Sequence, residues 1–166
     1  APAKWLLRGA TTNPPLSLQV VQTFPAIWSG WIEGHLRQRG EVDIKEGAWR
    51  LYCEIVARGA AAFMPLFEAS AGRLGFISAQ VDPRDRHDRD VMVKQARALS
   101  ALSPNIMIKM PGTKAGIEGI EALTALGIST NATLTFTVAQ LVAVAEAARR
   151  GSRTARKNGV DLGQWR

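Results

Sequence analysis

Lys109 is a charged residue inside a run that otherwise reads as a buried strand. The run is Asn105-Ile106-Met107-Ile108-Lys109-Met110, short, apolar and closed by Pro111-Gly112. Such a run is the pattern of a parallel strand covered on both faces. Lysine is almost never fully buried without a partner or a task. The task that suits an amine in such a place is carbonyl chemistry. Partial desolvation favours the neutral amine, and a neutral amine attacks a ketone to form a Schiff base. The plain alternative is a lysine held by an internal hydrogen bond or salt bridge. Residues two apart in a strand share a face, so the polar residues that could accompany Lys109 can be read from parity. Gly9, Thr11 and Asn13 share a face, as do Phe76, Ser78 and Gln80, then Met107 and Lys109, then Asn131, Thr133 and Thr135. No Asp or Glu falls on this parity. Its candidate neighbours for Lys109 are instead Gln80, Asn13, Asn131 and Thr133, which are amides and a hydroxyl.

The elements that must carry these residues alternate. Strand-like stretches cover 5–12, 74–81, 106–110 and 129–136. Helical patterns cover 16–40 and 41–72 in the first gap, 88–102 in the second, 115–127 in the third and 137–151 after the last strand. Val91, Val93, Ala96, Leu99 and Leu102 follow helical spacing. Ile117, Ile120, Leu123 and Leu126 do so too, with Gly127 as a C-terminal stop. Strands alternating with helices predict βα units, a parallel sheet and one domain over 1–166. The parity opposite Lys109 is apolar or small: Ala10, Ile77, Ala79, Val81, Ile106, Ile108, Met110, Ala132 and Leu134. A doubly wound sheet lies under helices on both faces and would be apolar on both. A barrel turns one face inward and keeps its active site at the strand C-terminal ends. The expected class is therefore α/β, of the (β/α)8 barrel kind, with four βα units in this chain.

The remaining features are quieter. With 166 residues, 46% hydrophobic and 21% charged, the composition is globular. There is no apolar run long enough for a membrane span, and the first residues do not read as a secretory signal. The single cysteine, Cys53, excludes an internal disulfide and fits a reducing, cytoplasmic compartment. It is read as a packed helix residue. The net charge of +7 is partly local, because Arg149, Arg150, Arg153, Arg156 and Lys157 crowd one segment. That run reads as a solvated helix face, and with no aromatic-interleaved motif beside it nucleic acid is not an expected partner. Phe24, Ile27, Trp28 and Trp31 read as a helix packing face or oligomer contact. His35 and His87 read as surface, and no metal-ligand set is expected. Asp88 or Asp90 is placed near a helix cap. Lys114, the other lysine near the strand, is placed at a helix start.

Four segments, taken together, carry a family resemblance. They are "GATTNPPLS" (9–17), "ISAQVDPR" (77–84), "NIMIKMPGTKAGIEGIEAL" (105–123) and "GISTNATLTFTVAQLVAVAEA" (127–147). In order and spacing they resemble the transaldolase family. The resemblance implies a class I aldol mechanism on a (β/α)8 barrel, without metal or organic cofactor, acting on sugar phosphates. Lys109 matches the lysine that attacks the ketose carbonyl. The iminium is an electron sink, so the adjacent carbon–carbon bond breaks, an aldose phosphate leaves and a dihydroxyacetone unit is passed to a second aldose phosphate. Gln80 and Thr133 match residues that hold the proton-relaying water. Asn13 and Asn131 match residues that hydrogen-bond the hydroxyls of the bound unit. The chain departs from the pattern in two respects. Gln80 stands where transaldolases usually have Glu, as in the fructose 6-phosphate aldolase branch, so simple aldol cleavage is an alternative to transfer. Four strands are also fewer than a barrel needs. The family's acid–base Asp would lie upstream of Ala1, and its phosphate-gripping serine and arginines beyond Arg166. A homo-oligomer, pairing with the other barrel half, or a non-catalytic scaffold homologue all remain expectations of this reading.

Overall fold

The computed structural model describes residues 6–39 and 43–166. The elements run β1 (Gly9–Thr11), α1 (Pro14–Thr23), α2 (Pro25–Arg39), α3 (Ile44–Ala69), β2 (Phe76–Gln80), α4 (Arg89–Ser100), β3 (Ile106–Pro111), α5 (Lys114–Ala125), β4 (Thr130–Thr133) and α6 (Val138–Lys157). A 3-10 turn, Pro83–Asp85, separates β2 from α4. All neighbouring strands are parallel, in the order β1-β2-β3-β4. A doubly wound sheet reverses its strand order at a switch point, and this sheet does not.

The two faces differ as a barrel wall requires. Ile77, Ala79, Val81, Ile106, Ile108 and Met110 are at most 3% exposed. They pack with Tyr52, Val56 and Ala60 of α3, Met92, Ala96 and Leu99 of α4, and Ile120 and Leu123 of α5. On the other face Gln80, Lys109, Asn131 and Thr133 are only half-buried. This face is concave. Asn131 Nδ2 donates to Ser78 Oγ at 3.2 Å, although β3 lies between their strands. Strands are spaced by about 4.8 Å, so those two backbones are about 10 Å apart. The side chains meet because the sheet curls toward them. The observed architecture is thus an α/β sheet of four consecutive βα units with the curvature of a partial barrel.

Local chemistry explains the element boundaries, including those that differ from expectation. The pattern over 16–40 reads as one helix but forms two, because Pro25 has no N–H to donate and restricts Phe24 before it. Phe24 takes φ −124°, ψ 57° and ends α1. The first strand is shorter than 5–12: Leu6–Arg8 are not strand, and Trp5 lies outside the described residues. The fourth strand stops at Thr133 rather than continuing to 136. Leu134 takes the left-handed φ of 59° and turns the chain toward α6, so Thr135 leaves the strand parity assigned to it. Asp88 caps α4, its Oδ1 accepting from the N–H groups of Asp90 and Val91 at 3.0 Å. Gly127, at φ 75°, follows α5 as anticipated. Thr137 and Gln140 form a capping box at the start of α6.

The outer features sort as follows. Trp28 is buried at 5%, with the Arg58 guanidinium carbon 4.7 Å from its ring centroid. Phe24 and Ile27 are 53% and 56% exposed and Trp31 is half-buried, so within this chain Trp28 and, in part, Trp31 are the packed members of that face. His35 is only partly exposed: it is half-buried and stacks on Trp31 at 4.8 Å. Cys53 is half-buried beside the core. The basic residues of α6 are exposed as a solvated face, with Arg150 Nε bonded to Glu121 at 2.7 Å. Beyond α6 the chain returns to the sheet, which the sequence did not signal. Trp165 Nε1 donates to the Ile128 carbonyl at 3.2 Å, Arg166 N–H to Ser129 Oγ at 3.1 Å, and Thr130 N–H to the Arg166 carbonyl at 3.1 Å. Among the described residues no helix is long and apolar enough to cross a membrane.

Candidate active site

The strand register assembles the site. Gln80 is level with Lys109, and Lys109 with Asn131. The three form one row across β2, β3 and β4 on the concave face. Thr133 is level with Pro111 and stands one step nearer the strand C-terminal ends, on the same face as Asn131. Among the described residues no hydrogen bond or ion pair engages the Lys109 ammonium, so the internal salt bridge considered for it is not what the structure contains. Neither the Gln80 amide nor the Thr133 hydroxyl has a partner there. Asn131 spends its Nδ2 on Ser78 and keeps its Oδ1 open.

Asn13 lies at the edge of this row. Thr12 N–H donates to the Ser78 carbonyl at 2.9 Å, which carries the ladder one residue past β1. The chain then turns into α1, and Asn13 becomes its N-cap, Oδ1 accepting from Leu16 N–H at 2.8 Å. Its Nδ2 is the group left for a ligand. Lys114 is exposed at the first residue of α5, outside the row.

Two residues that sequence reading did not assign hold the row in place. Ser78 supports Asn131, as above. Tyr52 of α3 accepts the Gln80 backbone N–H at 2.6 Å and sits 3.0 Å from Thr12 Oγ1. Burial pushes the Tyr52 hydroxyl up from its ordinary pKa, against the opposing pull of its bonds to Thr12 and Gln80. The only sequence signal for Tyr52 was a hydroxyl-bearing ring within an apolar helical stripe.

The acids of the loop after β2 are spoken for. Arg84 Nε donates to both Asp82 carboxylate oxygens at 2.9 Å. That bonding holds the Asp82 carboxyl below its ordinary pKa, against a partial desolvation that opposes it. Asp85 Oδ2 accepts from Gln95 Nε2 at 2.7 Å, and Asp90 pairs with Arg89 at 2.6 Å. None of them is presented to Lys109. Among the described residues no group of three or more His, Cys, Asp or Glu side chains stands ready to hold a metal ion.

The loops above the row are tied together. Gly112 N–H donates to the Thr133 carbonyl at 2.8 Å, and Gln140 Nε2 to the Gly112 carbonyl at 2.8 Å. Thr113 Oγ1 donates to the Arg86 carbonyl at 2.8 Å. Gly116 lets α5 sit against the end of β3: a Cβ there would stand 2.0 Å from the Pro111 oxygen. The lysine, the amides and the hydroxyl are therefore held by a braced frame. The arrangement places the Lys109 side chain between hydrogen-bonding groups suited to hydroxyls and water.

Residues 2–161 match the family model described as transaldolase/fructose-6-phosphate aldolase. The chain belongs to this family. It is 36% identical over 156 residues to a transaldolase of Thiobacillus denitrificans, covering 93% of this chain and 43% of that protein. It is 37% identical over 161 residues to transaldolase 1 of Streptomyces avermitilis, covering 93% and 40%. With a transaldolase of Thermobifida fusca the identity is 35% over 159 residues, covering 93% and 42%. The chain thus spans about two fifths of the length of these curated relatives. Family membership agrees with the barrel-like curvature, and all four motif segments begin inside the matched residues.

Proposed function

We propose that this chain carries the Schiff-base half of a transaldolase-type enzyme, with Lys109 as its nucleophile. The observation that supports this most is the row itself: an unpartnered lysine on a concave polar face, level with an amide on each side. Lys109 Nζ adds to the ketose carbonyl, and the carbinolamine loses water to give an iminium. The iminium accepts the electron pair of the breaking carbon–carbon bond, so an aldose phosphate departs while a dihydroxyacetone unit stays on the lysine. Gln80 and Thr133 hold the water that moves protons during imine formation. Asn131 Oδ1 and Asn13 Nδ2 bind the hydroxyls of the retained unit. The relatives named transaldolase support transfer of that unit to a second aldose phosphate. Sugar phosphates are the substrates, the cytoplasm is the site of action, and strands beyond β1 and β4 complete the barrel and supply the acid–base carboxylate.

Gln80 supports a second reading. An amide cannot take up a proton as a carboxylate does, so cleavage with release of free dihydroxyacetone, as in the fructose 6-phosphate aldolase branch, is the alternative activity. The test is intact mass after borohydride reduction in the presence of fructose 6-phosphate, with Lys109→Ala as control. An adduct of dihydroxyacetone size that requires Lys109 is the expected result. No adduct on the full-length protein refutes the Schiff-base role; an adduct there but not on this chain shows that the outer strands are required. Product formation that depends on an added aldose phosphate acceptor identifies transfer; acceptor-independent release identifies cleavage.

A further inference from the structure

We infer that Tyr52 is a positioning residue for this site, acting on Gln80 through its backbone; the inference rests on the Schiff-base reading above. The directions of the hydrogen bonds can be worked out from donor count. Thr12 Oγ1 donates to the Ser78 carbonyl at 3.0 Å, and a hydroxyl has a single proton to give. Either hydroxyl could donate across the 3.0 Å contact between Thr12 Oγ1 and Tyr52 Oη; with the Thr12 proton given to Ser78, Tyr52 is taken as the donor. Tyr52 Oη is then free to accept, and it takes the Gln80 N–H at 2.6 Å. The result is one directed chain: Gln80 N–H to Tyr52 O–H to Thr12 O–H to the Ser78 carbonyl. It leaves β2, passes through α3 and the residue just after β1, and returns to β2 two residues earlier.

Its purpose follows from the ladder. Thr12 N–H donates to the Ser78 carbonyl, so the next rung of a regular parallel ladder would run from Gln80 N–H to the Thr12 carbonyl. At that point the chain bends at Asn13 into α1, and the structure makes no such bond. Tyr52 Oη supplies the acceptor instead. Its ring belongs to the buried stripe of Tyr52, Val56 and Ala60 on α3, so the hydroxyl is carried on a part of the core. A phenylalanine would fill the same space. What the hydroxyl adds is a fixed position for the end of β2, from which the Gln80 side chain enters the row beside Lys109. Geometry of this kind matters in proportion to how directly it sets a reacting atom: a misplacement of about 1 Å can cost up to about a hundredfold in rate.

The experiment measures the rate of borohydride trapping on Lys109 for Tyr52→Phe, alone and in a Gln80→Ala background, with amide hydrogen exchange at Gln80 as a second readout. Tyr52→Phe is expected to slow trapping by about tenfold with Gln80 present. It should have little effect once Gln80 is alanine, because coupled residues fail to add. The Gln80 N–H should exchange faster in Tyr52→Phe while that of Ile108 does not. Thr12→Val, which leaves the ring untouched and removes the acceptor of the Tyr52 proton together with the Thr12 Oγ1 bond to the Ser78 carbonyl, should show the same dependence on Gln80. Equal slowing in both backgrounds, a wild-type trapping rate in Tyr52→Phe, or an unchanged Gln80 amide would each overturn the positioning role and leave the Schiff-base reading standing. An unaltered full-length protein that forms no adduct overturns both.

Discussion

Replacing Asn105 with alanine should remove more stability than any other single polar truncation in the sheet. Asn105 is completely buried, at the N-terminal end of β3. Its Nδ2 donates to the carbonyls of Ala60 at 2.8 Å and Gly75 at 3.0 Å, and its Oδ1 accepts from Ser103 Oγ at 2.7 Å. It therefore stitches α3, the approach to β2 and the approach to β3 with one side chain. At about 1 kcal/mol net per bond, with a further penalty where a buried partner is left unsatisfied, the loss comes to about 3–4 kcal/mol. Domains of this kind are stable by about 5–15 kcal/mol, so that is a large share. The assay is urea unfolding followed by the fluorescence of the five tryptophans. With a slope of about 2 kcal/mol per molar, the midpoint should fall by about 1.5–2 M.

Asn105→Asp sharpens the test. It keeps the shape but turns the two donors into acceptors that face the Ala60 and Gly75 carbonyls. At neutral pH it should therefore be worse than alanine. A carboxyl held in this place favours its protonated form, so its folded pKa is raised. The stability it retains is fully present below the unfolded value of about 3.9 and is lost as pH rises. Relative to the unaltered chain, the deficit should shrink between neutral pH and pH of about 4. A midpoint shift below about 0.5 M for the alanine variant, or an aspartate variant milder than alanine at neutral pH, would refute the reasoning.

Three further outcomes are expected. Gly151→Ala should cost about 1–3 kcal/mol in urea unfolding, because its Cβ would stand 2.4 Å from the Glu121 oxygen and 2.7 Å from Thr124 Cβ at the α5–α6 contact; unchanged stability would mean that the helices part freely there. Burial pushes the Cys53 thiol from 9.0 up to about 11, so near pH of about 8 its thiolate fraction, and its rate with a disulfide reagent, should be roughly a hundredfold below that of the unfolded chain, and equal rates would contradict the burial. The same raised value means that the stability from the neutral thiol is complete below pH 9.0 and is lost as pH rises toward about 11. Thr137→Ala, which dismantles the capping box of α6, should cost about 1 kcal/mol in the same unfolding assay, and a neutral result would show that the box is redundant.

How much of this was legible in the sequence depended on the range of the interaction. The polar parity of Gln80, Lys109, Asn131 and Thr133 could be read because side-chain alternation is a local property of a strand. The matching apolar parity, Ile77 to Met110, announced which face lies under helices. Their alignment into a row was not legible, because register is a relation between strands. Tyr52 reaches Gln80 across 28 residues, and Asn105 reaches Ala60 across 45; nothing near either residue reports its partner. Leu134 gave no warning of its φ of 59°, since leucine rarely takes that conformation and the residue types favouring it are Gly and Asn. The break between α1 and α2 was legible, because Phe24-Pro25 carries a local steric rule, and reading through it was an error of weight given to periodicity.

The braces divide between the two ends of the sheet, and the division argues for what each end does. At the strand C-terminal ends, Tyr52 meets Gln80, Gly112 meets Thr133, Gln140 meets Gly112, and Thr113 meets Arg86. Each fixes a loop or strand end beside the Lys109 row, and several are single hydrogen bonds at part-exposed positions. At the N-terminal ends stand Asn105 with its three bonds and the return of Trp165 and Arg166 onto Ile128 and Ser129. In barrels the C-terminal face carries chemistry and the N-terminal face carries stability. A side-chain bond made at the upper end therefore contributes little to the free energy of folding and much to where Gln80 and Thr133 stand. If that division holds here, Tyr52→Phe should separate from Asn105→Ala in kind: the first should slow trapping on Lys109 with a small change in urea midpoint, and the second should lower the midpoint while the folded fraction reacts at its original rate. A trapping rate that tracked stability across both variants would mean that the row is held by the fold as a whole, and not by its upper braces.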